Sequence, residues 1–285
     1  MHTKETQLLP SGTDTVSLQP NCIVGIGASA GGLEALQEFL TFLPSNTGMA
    51  FVIIQHLAPD HKSMLADILS KYSAMPVTEI RDGMTLERNH VYMIPPKYNV
   101  ELEDDVMRLR EYDIALINHP IDIFFRSLAA SYENRSVAVI LSGTGSDGTN
   151  GIRSIKEQNG VIIVQTPESA KFDGMPRNAI ATGFADMIQK PEAIAKEMIH
   201  IAGSISDSNT HFLPTDEDML SQVFSILKAV TNINYAYYKQ TTILRRIERR
   251  MVITHSRNLK QYVNFLGNNP DEAKILAKEV LIGVT

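Results

Sequence analysis

The 285-residue sequence predicts an α/β fold with a doubly wound, mostly parallel sheet and one antiparallel hairpin, followed by a small all-α segment. Up to about residue 201, short apolar runs alternate with helical patterns, which favours a parallel sheet covered by helices on both faces. Val100–Leu102 and Val106–Leu109 flank an acidic turn, which indicates the hairpin. Right-handed crossovers make such a sheet Rossmann-like, and its ligands bind at the carboxyl ends of the strands.

Strands are predicted where short apolar runs are bounded by turn residues, because these runs are too short for helices. They lie at Cys22–Ile26, Ala50–Ile54, His90–Ile94, Val137–Leu141 and Val161–Val164. Helices are predicted where apolar residues recur three or four positions apart, as Leu33, Leu36 and Leu40 do before Pro44 ends the first helix. The helical patterns lie at Leu33–Phe42, Ser63–Tyr72, Ile121–Tyr132, a segment ending near Gln158, and Pro191–Ile201.

The chain is expected to have four parts. Residues 1–20 are polar and predict a flexible tail, residues 21–203 form the α/β domain, residues 204–215 form a linker, and residues 216–285 form the helical segment. The basic residues are concentrated late in the chain: seven basic residues and one acid lie between Lys239 and Lys260, although the net charge is −6. This asymmetry suggests two modules with different partners.

Composition excludes several classes of protein. A single cysteine, Cys22, rules out an intramolecular disulfide and a cysteine-based zinc site. No run of 18 apolar residues exists, and the first 20 residues lack the apolar region of a secretory signal, so we expect a cytoplasmic protein without membrane insertion. The negative net charge argues against nucleic-acid binding.

The glycine-rich turn Gly25–Gly32 (GIGASAGG) follows the first strand and opens a helix. It fits a variant of the dinucleotide-binding fingerprint, but the second strand ends at Gln55 and His56 without the acid that would hold a ribose. Alternatively, Ser29 presents a nucleophilic hydroxyl over the sheet edge, with helix N–H groups ready for an oxyanion. Ser29 could also be only a helix N-cap.

Two further polar residues follow predicted strands. His56 comes after the second strand and could act as a general base for Ser29, although a loop histidine can equally be a solvated surface residue. Asp147 lies in the glycine-rich loop after the strand Val137–Leu141 and could orient an imidazole, or serve only as a helix cap, phosphate loop or metal loop.

Four separated motifs resemble those of bacterial CheB-type chemotaxis protein-glutamate methylesterases. They are GIGASAGG (25–32), Gln55-His56, LSGTGSDG (141–148) and FDGMPRN (172–178). The resemblance implies hydrolysis of γ-glutamyl methyl esters on chemoreceptors, with release of methanol, and a related deamidation of glutamines. It places the nucleophile at Ser29, the base at His56 and the orienting acid at Asp147, and it implies no metal or organic cofactor.

The sequence departs from this family in three respects. Ala30 and Thr144 stand where the family often has Thr and Met, yet their backbone N–H groups could still form an oxyanion hole. The family's receiver domain is normally N-terminal, and 20 residues cannot hold one, so we expect control by a receiver within this segment to be absent.

Residues 216–285 resemble the N-terminal helical part of CheR-type receptor methyltransferases, through Tyr238–Met251 and Val280–Thr285. The resemblance implies a fragment of a fusion protein, from which methyl transfer and S-adenosylmethionine binding are not expected. Arg245, Arg246, Arg249 and Arg250 form one basic stripe of a helix, which is either a solvated face or a docking surface for acidic receptor helices. A non-catalytic scaffold that docks through this stripe is therefore the alternative function.

Overall fold

A computed structural model of the protein describes residues 19–55, 64–112, 117–206, 217–235 and 238–282. These residues form an α/β domain (residues 19–206) and a helical domain (residues 217–282). The main sheet has seven parallel strands in the order β10-β9-β8-β1-β2-β5-β3. Its strands are β1 (Ile23–Ala28), β2 (Ala50–Gln55), β3 (Val77–Glu79), β5 (His90–Met93), β8 (Ser136–Ile140), β9 (Val161–Gln165) and β10 (Met187–Gln189).

Helices cover both faces of this sheet, which confirms the doubly wound prediction. One apolar core lies under α1 (Gly32–Phe42), α2 (Leu65–Leu69) and α6 (Pro191–Ser206). The second core lies on the opposite face, under α3 (Pro120–Tyr132), α4 (Gly151–Glu157) and α5 (Gly174–Ala181). The central strands are buried on both sides, and this explains their continuous apolar runs.

The predicted hairpin is present, but it is part of a separate three-stranded sheet. Strands β6 (Tyr98–Glu103) and β7 (Val106–Glu111) pair in antiparallel register, and β4 (Met84–Thr85) adds to the outer edge of β7. This small sheet packs on the face covered by α3, because Val100, Leu102 and Met107 share the core of that face.

Some boundaries differ from the sequence prediction. Helix α2 spans only Leu65–Leu69, whereas Ser63–Tyr72 was predicted, and α6 continues to Ser206 instead of ending at Ile201. The short strands β3, β4 and β10 and helix α5 were not predicted. The predicted tail, except residues 19 and 20, and most of the predicted linker lie outside the described residues.

The helical domain contains α7 (Glu217–Thr231), α8 (Gln240–Ile253), α9 (Leu259–Asn268) and α10 (Pro270–Ile282). They enclose a third apolar core around Leu227, Ile247, Tyr262 and Leu276. Among the described residues, no helix has both the length and the apolar character needed to cross a membrane.

Candidate functional site

The predicted site residues follow three neighbouring strands. In the middle strand β1, Ala28 pairs with Gln55 of β2, and Gly27 pairs with Ile140 of β8. Ser29 comes directly after Ala28, and its N–H donates to Ser142 O at 3.0 Å. The carboxyl edge of the sheet therefore brings Ser29 against the loop that follows β8, as predicted.

The turn after β1 leaves the Ser29 hydroxyl uninvolved in capping. The N-cap of α1 is Gly31, which adopts a left-handed conformation with φ of 68° and makes no side-chain cap. Gly32 N–H donates to Ser29 O at 2.8 Å, and this bond closes a tight turn. The alternative in which Ser29 is only the helix N-cap is thus wrong.

The loop of residues 142–148, here called the acid loop, is fixed beside Ser29 by the 172–178 motif. Ser142 Oγ donates to Ala30 O at 3.0 Å and accepts the N–H of Phe172 at 3.0 Å. Gly143 N–H donates to Phe172 O at 2.9 Å, and Met175 N–H donates to Gly143 O at 2.8 Å. The motifs GIGASAGG, LSGTGSDG and FDGMPRN therefore meet in one hydrogen-bonded structure.

A glycine is required at position 143 because the chain segments approach so closely. A Cβ atom added there would lie 2.1 Å from Met175 Sδ and 3.0 Å from Ser29 Cβ. Any side chain at this position would therefore displace Met175 and press on Ser29.

Several backbone N–H groups at this edge have no hydrogen-bond acceptor among the residues that the structure describes, and those of Ala30 and Thr144 are among them. Ala30 is half-buried and Thr144 is exposed. Unpaired N–H groups are the donors that stabilise a developing oxyanion, so this edge has the groups that the predicted oxyanion hole needs.

Asp147 is held at the start of α3. Its Oδ2 accepts the N–H of Ile121 at 3.1 Å, and its Oδ1 accepts the N–H groups of Asp122 at 3.0 Å and Gly148 at 2.9 Å. Burial raises the pKa of Asp147, while the N–H donors of Asp122 and Ile121 act in the opposite direction. These three bonds fix the carboxylate, and its remaining lone pairs can still accept from an imidazole.

His119 was not identified from the sequence. It is the half-exposed N-cap of α3, and its Nδ1 lies 3.8 Å from Asp147 Oδ1. The sequence does contain a signal for His119, because this residue precedes a predicted helix. Helices in a parallel α/β fold begin at the edge of the sheet where the strands end. His56, the predicted base, lies outside the described residues, whereas Gln55 before it ends β2.

Two clusters of three possible metal ligands occur among the described residues, and the first is His119, Asp122 and Asp147. Its carboxylates already accept backbone N–H groups, including Gly151 N–H to Asp122 Oδ1 at 2.7 Å. These carboxylates therefore accept hydrogen bonds at the starts of two helices, and this role explains their positions better than binding of a cation does. The second cluster, Glu197, His200 and His255, lies between the two domains.

The predicted basic docking stripe is wrong for three of its four arginines. Arg246, Arg249 and Arg250 are only 4–5% exposed, and Arg245 alone faces solvent. The stripe packs against the α/β domain: Arg246 Nη1 donates to Lys156 O at 3.1 Å, and Arg249 Nε donates to Gly160 O at 2.9 Å. Its buried part cannot serve as a docking surface for a second protein.

The buried arginines belong to an ion-pair network that joins the domains. Glu279 Oε1 lies 2.8 Å from Arg249 Nη1 and 2.7 Å from Lys156 Nζ, and Lys156 Nζ also lies 3.0 Å from Asp186 Oδ1. Arg249 also pairs directly with Asp186, and Arg250 pairs with Glu272. Burial opposes the charge of Glu279, yet Arg249, Lys156 and Arg250 lower its pKa to about 2.

The family profile described as CheB methylesterase matches residues 24–198, and the profile described as CheR methyltransferase, all-alpha domain, matches residues 218–281. A putative protein-glutamate methylesterase/protein-glutamine glutaminase of Leptospira interrogans is 32% identical over 62% of this chain and 92% of its own length. An uncharacterized 104.1 kDa protein of Rhodobacter capsulatus is 36% identical over 78% of this chain, which matches 26% of that protein.

The fold has a solved counterpart. The Thermotoga maritima CheB methylesterase catalytic domain aligns with a TM-score of 0.60 and 30% identity, over 63% of this chain and 98% of that domain. The alignments cover 57% of the Methanosarcina acetivorans and 53% of the Trichodesmium erythraeum relatives, so this chain spans little more than half of those proteins.

Proposed function

This chain belongs to the CheB methylesterase family, and we propose that it hydrolyses γ-glutamyl methyl esters on a methylated chemoreceptor and releases methanol. The observation that carries the proposal is the position of Ser29 at the end of the central strand, against the acid loop whose residue Thr144, like Ala30, has an unpaired backbone N–H among the described residues. The all-α domain homologous to receptor methyltransferases supports a receptor as the substrate.

The proposed reaction is acyl transfer in two steps. His56, the residue after Gln55, removes the proton of Ser29 Oγ as this oxygen attacks the ester carbonyl carbon. The tetrahedral intermediate carries its negative charge on the former carbonyl oxygen, where the N–H groups of Ala30 and Thr144 stabilise it. The imidazolium then protonates the departing methoxide, and methanol leaves an acyl-enzyme on Ser29.

Water completes the cycle. His56 deprotonates a water molecule that attacks the acyl-enzyme, and the proton returns to Ser29 Oγ as the glutamate carboxylate leaves. Asp147, fixed by three N–H donors, orients His56 and stabilises its charged form. The same steps applied to a glutamine side chain release ammonia, and the names of several relatives include this glutaminase activity.

The test is methanol release from a methylated receptor fragment by the wild-type chain and by Ser29→Ala. We expect Ser29→Ala to lower the rate by about 10⁴-fold or more, because the nucleophile is lost. Ser70→Ala is the matched control, since Ser70 is exposed at the end of α2 and should leave the rate unchanged. Equal rates for the wild type and Ser29→Ala would refute the assignment of the nucleophile.

The receptor as substrate needs a separate measurement. The wild type should release methanol from a receptor fragment that has been methylated on glutamates and none from the unmethylated fragment. Release only from methyl esters of unrelated proteins would retain the esterase chemistry and reject the receptor.

A further inference from the structure

Glu197, His200 and His255 converge at the junction of the two domains. Glu197 and His200 are three residues apart on α6 of the α/β domain, and His255 follows α8 of the helical domain. Each offers one possible ligand atom, and these atoms lie within 4.8 Å of one another. We propose that these three side chains bind one Zn²⁺ ion, which joins the α/β domain to the helical domain.

The spacing on α6 places two ligands on one helix face. Residues three apart are neighbours on a helix surface, so Glu197 and His200 project toward the same point. The same Glu-x-x-His spacing supplies metal ligands in helical bundles. Two imidazoles and one carboxylate, with a water as fourth ligand, form a donor set that Zn²⁺ commonly accepts.

The hydrogen bonding of His200 prepares one of its nitrogens for a metal. His200 Nε2 lies 3.0 Å from Val252 O, and a carbonyl can only accept, so Nε2 carries the proton. Nδ1 therefore keeps its lone pair. A backbone carbonyl that holds the other ring N–H is the usual support of a metal-bound histidine.

Glu197 and His255 lie close together, but the hydrogen bond between them is poorly aligned. Glu197 Oε1 is buried and, among the described residues, accepts no well-aligned hydrogen bond, although it lies 2.7 Å from His255 Nε2. The His200 and His255 rings stack with centroids 3.8 Å apart, so protonating both would place two cations in contact. A single divalent cation would balance the carboxylate. Because a metal lies in the plane of each imidazole that binds it, the exposed His255 ring must turn out of the stack before both rings can bind the same ion.

The site is accessible from solvent. A cleft of about 650 Å³ adjoins it and is lined by His200, Glu248, Met251 and His255. This gives the ion an entry path and leaves space for its water ligand.

Binding would draw the three ligand atoms to roughly 3.4 Å from one another, the separation that tetrahedral Zn²⁺ imposes. His255 adopts the left-handed backbone conformation, with φ of 57°.

The experiment is a Zn²⁺ titration of the full chain, stripped with EDTA and free of a histidine tag, in competition with a chromophoric chelator. We expect one ion per chain, and a visible absorption spectrum typical of tetrahedral coordination when Co²⁺ replaces Zn²⁺. His200→Gln, His255→Asn and Glu197→Gln should each weaken binding by about tenfold or more. Asn is chosen at position 255 because it tolerates the left-handed backbone.

His119→Asn is the matched control, because His119 belongs to the other ligand cluster. Unchanged binding in this variant supports the proposal, whereas loss of binding only in this variant moves the ion to the other cluster and refutes it. Absence of stoichiometric binding by the wild type, or equal affinity in the three ligand variants, would also refute it. If those variants fail to fold, Zn²⁺ should still protect His200 and His255 of the wild type from diethyl pyrocarbonate, and equal labelling with and without Zn²⁺ would overturn the site.

Discussion

His119 Nδ1 lies 3.8 Å from Oδ1 of Asp147, so the acid of the proposed triad has a histidine beside it at the start of α3. Burial raises the pKa of Asp147, and the charge of protonated His119 lowers it. His119 is half exposed, whereas the Asp147 side chain is only 14% exposed. The surface imidazole therefore favours the carboxylate form that the proposed mechanism requires.

Replacing His119 by Asn should shift the acid limb of the kcat/KM profile to higher pH. The acid limb reports protonation of the proposed pair of His56 and Asp147, because His56 must be neutral to act as the base. Losing a nearby cation makes protonation of this pair easier, so the fall begins at a higher pH. The shift should be less than about one pH unit, because a half-exposed ion pair contributes about 1 kcal/mol or less. Rates of methanol release across pH measure it.

The control for this prediction is His90→Asn. His90 begins β5, at the opposite end of the strands from Asp147, and should leave the acid limb in place. An acid limb that does not move in His119→Asn would show that this imidazole has no electrostatic effect on the reaction.

Gly143→Ala should reduce activity with a smaller effect on folding. The new Cβ would meet the buried Met175 Sδ at 2.1 Å and Ser29 Cβ at 3.0 Å, so both side chains must shift. The Ser29 contact requires a shift of only a few tenths of an ångström. Since a misplacement of about 1 Å costs on the order of 100-fold in rate, we expect a loss of roughly 3- to 10-fold. Methanol release and the thermal unfolding midpoint should be measured together.

Two further variants separate the contacts of Gly143. Gly143→Ala combined with Met175→Ala relieves the sulfur clash, and we expect partial recovery of the rate. Gly203→Ala, at a position in α6 with no atom within 4 Å of the added Cβ, should behave as the wild type. Full activity in Gly143→Ala would contradict the close approach of this loop to Ser29.

The sequence predicted the central sheet and the Ser29 turn because both produce strong local signals. Strands buried on both faces appear as apolar runs, and the turn at Gly31 needs a residue that tolerates a positive φ. Strand β3, by contrast, has three half-buried or exposed residues, which is too short for any periodic pattern.

The prediction of an exposed arginine stripe is wrong for a different reason. Four arginines on one helix indicate a solvated face, and their partners Asp186 and Glu279 lie far from them in the sequence. Nothing local to α8 reveals that these acids meet it in three dimensions. Tertiary ion pairs of this kind cannot be read from helical periodicity, because periodicity describes the helix and not its neighbour.

Arg249→Met should destabilise the packing of the two domains. Arg249 pairs with both Asp186 and Glu279 and is almost completely buried, so its loss leaves two carboxylates with Lys156 as their nearest remaining cation. Removing one partner of a buried ion pair costs about 3–5 kcal/mol. Urea unfolding measures the change in the free energy of unfolding.

Arg245→Met is the matched control on the same helix. Arg245 is exposed, and we expect its replacement to change the free energy of unfolding by less than about 0.5 kcal/mol. Similar unfolding curves for the two variants would show that the buried network does not stabilise the fold.

Acidification should weaken the same interface through Glu279. Its pKa in the folded protein is about 2, against an ordinary value of 4.5, because Arg249, Lys156 and Arg250 outweigh the effect of burial. A carboxyl group whose pKa is lowered by folding stabilises the fold fully above its unfolded pKa, and this contribution is lost as the pH falls toward the folded pKa. The loss attributable to Glu279 should therefore occur between pH 4.5 and about 2.

Thermal unfolding midpoints of the wild type should fall more steeply through this window than those of Glu279→Gln, which lacks the titrating group and is already less stable at pH 6. Asp271→Asn is the control, because Asp271 is exposed near the start of the same helix, and its unfolding midpoint should change with pH as that of the wild type does. Equal pH dependence of the midpoints of the wild type and Glu279→Gln would contradict the predicted role of Glu279.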